Sequence, residues 1–166
     1  MATFTGALNA QNVANATNGG LLEFTGGTVP ELQDVAGDTF IGGNLSDFVQ
    51  GGAGRDTINL GAGNDVIRLS GVATEDNIDG GSGTDTLDLG GYNAVANPTL
   101  VGTNIDLAIG NAWRFNPGTA ATITGIEIIS ATDLNDFIRG NAANETFSGN
   151  GGRDRLAGYV TSEMTR

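Results

Sequence analysis

Acidic residues recur along this chain at a spacing of nine. A run of four is followed by a pair and then by a run of three at the same interval: Asp38, Asp47, Asp56 and Asp65, then Asp76 and Asp85, then Asp136, Glu145 and Asp154. Two positions after each acid stands a large apolar residue: Phe40, Val49, Ile58, Ile67, Ile78, Leu87, Ile138, Phe147 and Leu156. Regularly spaced carboxylates can bind a hard cation or act as an acid and base pair, so the surrounding residues must decide between these chemistries.

Glycine-rich turns precede the acids, most fully in Gly51-Gly52-Ala53-Gly54-Arg55-Asp56 and Gly80-Gly81-Ser82-Gly83-Thr84-Asp85. Glycine reaches positive φ at low steric cost, so such a turn folds back tightly and lets carbonyl oxygens converge. One carboxylate per turn completes an oxygen-only, negatively charged pocket. That pocket suits Ca²⁺, which takes roughly six to eight oxygen ligands. Zn²⁺ and Cu²⁺ prefer the nitrogen and sulfur ligands of His and Cys, which this chain lacks.

The elements that position these turns are short strands. In a three-residue strand centred on the apolar residue, the middle side chain points to one face, because side chains alternate along a strand. A single strand of this kind cannot bury its apolar face, whereas stacked copies form a continuous apolar ladder. The spacing therefore predicts a stack of short strands joined by acidic, glycine-rich corners.

Composition excludes several functions. The chain of 166 residues has 7 basic and 19 acidic residues, a net charge of -12, and neither His nor Cys. Clustered cations for nucleic acid or an anionic membrane surface are absent, as are thiol and imidazole catalysts. No apolar stretch is long enough to span a membrane as a helix. A glycosidase dyad is disfavoured because equivalent repeated acids lack the two unlike environments of an acid and a base.

The repeat G-G-x-G-x-D-x-U-x, in which U is a large apolar residue, is fullest at 51–59 and 80–88. It resembles the nonapeptide of RTX-type calcium-binding proteins, a family of secreted bacterial toxins, proteases, lipases and surface proteins. The resemblance covers roughly residues 33–88 and 131–158. It implies an all-β fold, a right-handed parallel β-roll or β-solenoid with Ca²⁺ in the glycine-rich turns. In such a roll two nonapeptides form one coil, and each ion lies between turns stacked on the same edge.

Carried onto this sequence, the resemblance implies about four to five calcium ions. Their sites would lie at the pairs Asp38/Asp56, Asp56/Asp76, Asp47/Asp65, Asp65/Asp85 and Asp136/Asp154. Turn carbonyls would complete the shells, with Gly51, Gly52, Gly54, Gly80, Gly81 and Gly83 as candidates. Glu145 is a further candidate that we expect to bind weakly or not at all, because it departs from aspartate and its turn holds one glycine.

The organisation predicted along the chain has five parts. We expect an N-terminal β cap or interaction arm, a first RTX block, wider calcium-free β coils that continue the solenoid, a second RTX block and a C-terminal tail. Their boundaries are 1–32, 33–88, 89–130, 131–158 and 159–166. In the third part, residues 104–109 and 122–129 alternate as strands do, and 113–118 is predicted to be a turn with an aromatic face.

These features predict a secreted, calcium-dependent structural protein without enzymatic activity. We expect it to fold on binding Ca²⁺ outside the cell and to associate with itself or with a cell-surface partner, as in a surface layer, filament or adhesin. The alternative is an accessory module that assists the export or folding of a secreted enzyme or toxin. The first residues lack the charged and apolar regions of a signal peptide, so we expect export to the bacterial surface or medium without a cleaved N-terminal signal.

Overall fold

The structure is a computed structural model and describes residues 39–51, 55–69, 76–90, 102–113, 120–141 and 144–158. Short strands follow one another throughout this part of the chain, and none of its residues is helical. Their bounds in chain order are β1 Thr39–Ile41, β2 Phe48–Gly51, β3 Thr57–Asn59, β4 Ala62–Gly63, β5 Val66–Leu69, β6 Asn77–Asp79, β7 Ser82–Gly83, β8 Thr86–Asp88, β9 Asn104–Asp106, β10 Asn111–Trp113, β11 Ala120–Thr124, β12 Ile128–Ser130, β13 Phe137–Arg139, β14 Thr146–Ser148 and β15 Arg155–Ala157.

The chain alternates between two sheets, which we call sheet A and sheet B. Sheet A has the strand order β1-β3-β6-β11-β10-β9-β13-β15, and sheet B has the order β2-β5-β8-β12-β14. A third, two-stranded sheet joins β4 to β7 within the turns. Among the described strands, every pairing is parallel except the two that β10 makes. The predicted all-β fold with stacked parallel strands is therefore confirmed.

The strand centres stack in register, as the repeat predicts. Phe40 pairs with Ile58, and Ile58 pairs with Ile78. The offset along the chain is 18 residues between the corners at Asp47 and Asp65. It rises to 20 residues between Asp65 and Asp85, which absorbs the two-residue insertion before Asp76. The coil thus accommodates the insertion in its turns and preserves the strand register.

The core lies between the two sheets and consists of the strand centres. Ile67, Ile78, Ile129 and Ile138 are completely buried, because each points inward from a strand that has neighbours on both sides. Leu156 occupies the equivalent position in β15 and is 44% exposed. Since β15 is the last strand in the order of sheet A, no described strand covers Leu156 from that side.

The segment between the two repeat blocks, for which we expected wider coils, places more strands in sheet A than in sheet B. β9, β10 and β11 all enter sheet A between β6 and β13, whereas sheet B has only β12 between β8 and β14. β10 runs antiparallel to both of its neighbours, so the chain doubles back through the turn at 107–110. Trp113, which we predicted to lie in a turn, is the last residue of β10. The strands of this segment still hydrogen-bond to both blocks, β11 to β6 and β9 to β13.

Candidate calcium sites

The acidic corners form two rows along the edges of the stacked coils. Corners that lead from sheet A into sheet B form the first edge, and those that lead from sheet B into sheet A form the second edge. Backbone bonds tie each corner to the next coil; for example, Val66 N donates to Asp47 O at 2.9 Å and Thr86 N donates to Asp65 O at 2.8 Å. The described aspartates are Asp47, Asp65 and Asp85 on the first edge and Asp56, Asp76, Asp136 and Asp154 on the second.

Each of these rows is a ladder in which a carboxylate accepts the backbone N–H of the acid one coil earlier. Asp47 N donates to Asp65 Oδ1 at 2.7 Å, and Asp65 N donates to Asp85 Oδ1 at 2.8 Å. The second edge repeats the contact from Asp56 N to Asp76 Oδ1 at 2.9 Å and from Asp136 N to Asp154 Oδ1 at 2.9 Å. The structure therefore stacks the members of the pairs 47/65, 65/85, 56/76 and 136/154 on neighbouring coils.

Two carboxylates of the first edge each have one oxygen without a hydrogen-bond donor among the described residues. Asp65 and Asp85 are both completely buried, and their Oδ2 atoms accept no hydrogen bond from the described residues. An orphaned, buried carboxylate oxygen is costly unless a cation or donor satisfies it. The possible metal ligands at these corners are carboxylate and backbone carbonyl oxygens, so these residues fit a hard divalent cation such as Ca²⁺.

Glycines let the turns above these carboxylates stack closely. Gly61 and Gly63 have φ values of 96° and 146°, and Gly81 and Gly83 have values of 88° and 138°. A Cβ atom added at Gly81 would overlap the carbonyl oxygen of Gly61, and one at Gly83 would overlap that of Gly63. Both the positive φ and the close approach exclude larger residues. The backbone carbonyls of successive turns are thereby brought near the carboxylate row.

The aspartates of the first edge are harder to ionise than free aspartate. Burial raises the pKa of Asp47, Asp65 and Asp85, since desolvation disfavours the charged form. The pKa of Asp85 rises furthest, from 3.8 to about 6, because the nearby charges of Asp65, Glu127 and Asp79 add to burial. A cation bound here would therefore remove an electrostatic penalty that protonation otherwise relieves.

Glu127 continues the first edge and was missed by the sequence analysis. Its Oε2 atom accepts the backbone N–H of Asp85 at 2.9 Å, the same contact that the aspartates make. Thr146 N then donates to Glu127 O at 2.8 Å, which places the corner of Glu145 on the next coil. The signal was present, because Glu127 lies nine residues before Asp136 and two before the buried Ile129.

Other predicted site residues have different surroundings. Glu145 Oε1 accepts the backbone N–H of Asn141 at 2.7 Å, within its own turn. Asp136 is almost completely buried and accepts hydrogen bonds from Thr103 and Thr132. Gly51 ends β2, whereas Asp38, Gly52 and Gly54 lie outside the described residues, as do the segments 1–32 and 159–166.

Carboxylates alone do not form a complete metal site. Within the ranges that the structure describes, no three acidic, His or Cys side chains lie close enough to hold a metal ion by themselves. Any ion at these corners would take the rest of its oxygen shell from the turn carbonyls. This division of ligands matches the way in which the glycine turns approach the carboxylate row.

Comparison with known families agrees with this geometry. A family model of the RTX calcium-binding nonapeptide repeat, built of four copies, matches residues 41–73, 68–91 and 123–156. These ranges together cover just over half of the chain. The chain belongs to the RTX calcium-binding repeat family. The RTX matches include the corners of Asp47, Asp65 and Asp85 and extend across Glu127, whose place in the repeat the structure had already indicated.

A search of curated proteins finds no significant match to this RTX chain. In the part of it that the structure describes, no helix is long and apolar enough to cross a membrane. The RTX assignment establishes a calcium-binding repeat built on a β-rich fold.

Proposed function

We propose that this protein is a secreted structural protein without catalytic activity, which folds when its acidic corners bind Ca²⁺ outside the cell. The observation that carries the proposal is the buried Oδ2 atom at Asp65 and Asp85, which accepts no hydrogen bond from the described residues. The other possible metal ligands in these corners are carboxylate and carbonyl oxygens. A carboxylate in this state is poorly accommodated without a cation.

The residues that would hold calcium are the stacked carboxylates of the two edges. On the first edge these are the pairs Asp47/Asp65 and Asp65/Asp85, and Glu127 extends the row beyond Asp85. On the second edge the pair is Asp56/Asp76. Bound Ca²⁺ would neutralise these carboxylates and crosslink the turns of neighbouring coils. Turn carbonyls, including those of Gly80, Gly81 and Gly83, would supply the other oxygens.

Coupling between folding and calcium follows from the spacing of the charges. Neighbouring strands are about 5 Å apart, so each ladder holds like charges at that interval along an edge. The net charge of -12 adds a general repulsion that opposes the compact state. We expect the calcium-free chain to be expanded, because a site that forms only in the folded chain contributes its binding free energy to folding.

The calcium requirement also supports an extracellular location. Extracellular calcium modules have dissociation constants of about 10⁻⁴–10⁻³ M, far above cytosolic free calcium. Corners of such affinity would remain empty in the cytosol, so the coils would form only after export. This order of events would keep the chain unfolded until it leaves the cell.

The proposal also includes self-association of the folded protein. The last described strand of sheet A, β15, presents Leu156, which is 44% exposed although its equivalents in inner strands are buried. Such an apolar end favours stacking on further β structure, including that of a second copy. Light scattering at millimolar calcium tests this point, and a monomer that persists at high protein concentration would refute self-association.

Circular dichroism with and without a calcium chelator tests calcium-dependent folding. We expect a β-sheet spectrum in calcium that is lost in excess chelator and returns when calcium is restored. Asp85→Asn should require more calcium for the same change, whereas Asp133→Asn, an exposed acid outside the ladder, should match the parent protein. An unchanged β-sheet spectrum in excess chelator would reject the proposed function.

A further inference from the structure

The carboxylate of Asp136 is already satisfied by protein donors. Four donors reach it, namely the backbone N–H and the hydroxyl of both Thr103 and Thr132. The Thr103 hydroxyl donates to Oδ1 at 2.8 Å, and the Thr132 N–H donates to Oδ2 at 3.0 Å. A carboxylate has roughly four lone-pair sites. Both oxygens of Asp136 are thus occupied without a cation.

This arrangement differs from the corner of Asp85 in the second residue of the turn. Four positions before Asp85 stands Gly81, which has no side chain to donate. Four positions before Asp136 stands Thr132, whose hydroxyl lies 3.0 Å from both carboxylate oxygens. The turn from Ala131 to Asn135 contains no glycine of its own, although Gly102 and Gly152 on the neighbouring coils lie close to the carbonyl oxygens of Asn135 and Leu134.

The neighbouring coil differs in the same way. On the first edge, each aspartate faces another acid across the stack. Here Thr103 takes that place, and its backbone N–H and hydroxyl both point to Asp136. Thr103 and Thr132 are themselves 6% and 1% exposed, so the hydrogen bonds are shielded from water. On this side of Asp136 a hydroxyl donor therefore stands where the first edge has an acid, whereas Asp154 stacks on its other side.

We propose that the corner at Asp136 is closed by threonine hydroxyls and that Asp136 does not ligate calcium. This inference rests on the proposed function, because it distinguishes this corner from corners that do bind the ion. Asp136 is then a positioning residue. It fixes Thr103 at the start of β9 to the strand β13, and an ion pair between Arg139 and Asp106, at 3.0 Å, joins the same two strands.

An anomalous difference map of the full wild-type chain tests the assignment directly. Crystals grown in calcium and exchanged with Tb³⁺ should show peaks beside Asp65 and Asp85 and none in ligand range of Asp136. A peak at about 2.3–2.6 Å from either oxygen of Asp136 would overturn this inference and leave the proposed function intact. An absence of peaks beside Asp65 and Asp85 would overturn the proposed function, and with it the contrast drawn here.

Variants give a second test that does not depend on crystals. Thr132→Val should bind as many calcium ions as the wild type, counted by native mass spectrometry, while its folding equilibrium constant falls about ten- to a hundredfold. Thr132→Ser keeps the hydroxyl and should match the wild type in both measurements. Asp85→Asn should bind at least one ion fewer. Loss of an ion from Thr132→Val, or an unchanged stability, would contradict the threonine closure.

Discussion

The corners at Asp85 and Asp136 share a short sequence motif but differ in how their carboxylate oxygens are hydrogen-bonded. Both are an acid followed two residues later by a buried apolar residue, Leu87 or Ile138, and both carboxylates accept hydrogen bonds across the stack. At Asp85 one oxygen remains without a donor among the described residues, whereas at Asp136 threonines satisfy both. The acid and the apolar residue specify the strand, and the residues around the acid decide whether the corner needs a cation.

The difference also separates two ways of compensating a buried carboxylate. A cation can compensate several stacked acids at once, which makes the fold conditional on the concentration of that cation. Hydroxyl and amide donors compensate one acid at a time and are part of the chain, so they act under all conditions. A protein that uses both can have coils whose stability depends on calcium beside a junction whose stability does not.

The largest expected effect comes from the turns of the first block. Gly83→Ala places a Cβ at φ 138°, where it would overlap the carbonyl oxygen of Gly63. We expect a loss of about 3 kcal/mol or more in the free energy of unfolding, measured by denaturant titration in saturating calcium. Gly158→Ala is the matched control, because nothing lies within 4 Å of its added Cβ. Equal stability of the two variants would mean that the turns do not stack as described.

A somewhat smaller effect distinguishes the two corners by their response to calcium. Thr103→Val removes a buried hydroxyl from a carboxylate and should cost about 1.5–3 kcal/mol of unfolding free energy. This loss should be the same at every saturating calcium concentration, whereas the loss in Asp65→Asn should grow as calcium rises, because binding stabilises the wild type further. Thr103→Ser serves as the control. A loss in Thr103→Val that grows with calcium would place an ion at the Asp136 corner.

These comparisons show which features the sequence could predict. The strands centred on Ile58, Ile67 and Leu87 follow from the nine-residue period, because an apolar centre and an acidic corner are local properties of one repeat. The stacking of Asp65 on Asp85 follows as well, since every coil repeats the same register.

The rest depends on contacts between distant segments. Thr103 reaches Asp136 across 33 positions, and no local pattern marks either residue as the other's partner. Strand β9 pairs with β13 on one side and with the antiparallel strand β10 on the other. The alternation of residues within β9 does not specify either partner. Glu127 was predictable from its period but follows the short turn Gly125-Ile126, which lacks the glycine pattern used to find the other corners.

Acidification should stabilise the folded, calcium-free protein through Asp85. Burial and neighbouring charges raise the pKa of Asp85 to about 6, so its folded form binds a proton more readily than its unfolded form. The stability contributed by this proton is present at low pH and is lost as pH rises through about 6. We therefore expect chelated protein to have more β-sheet signal at pH 5 than at pH 7.5, by circular dichroism.

Asp85→Asn is the control for this titration. In calcium, the effect of pH on the fold should be reversed. Asp85→Asn cannot bind the proton, so its β-sheet signal in chelator should change less between these two pH values. In saturating calcium, acidification should instead weaken the fold, because protons compete with the cation for the same carboxylates. A calcium-free protein that loses β structure on acidification would contradict the buried, charged ladder of the first edge.

The smallest effect should come from an ion pair on the outer face of sheet B. Arg68 contacts Asp88 at 2.7 Å and lies over the ring of Phe48, but its side chain is 45% exposed. Exposed pairs contribute about 0–1 kcal/mol, so Arg68→Gln should lower the free energy of unfolding by less than about 1 kcal/mol. The difference from wild type should shrink at about 1 M salt at fixed calcium, since salt screens surface charges. A loss as large as that of Thr103→Val would show that the outer face, and not the corners alone, holds the coils together.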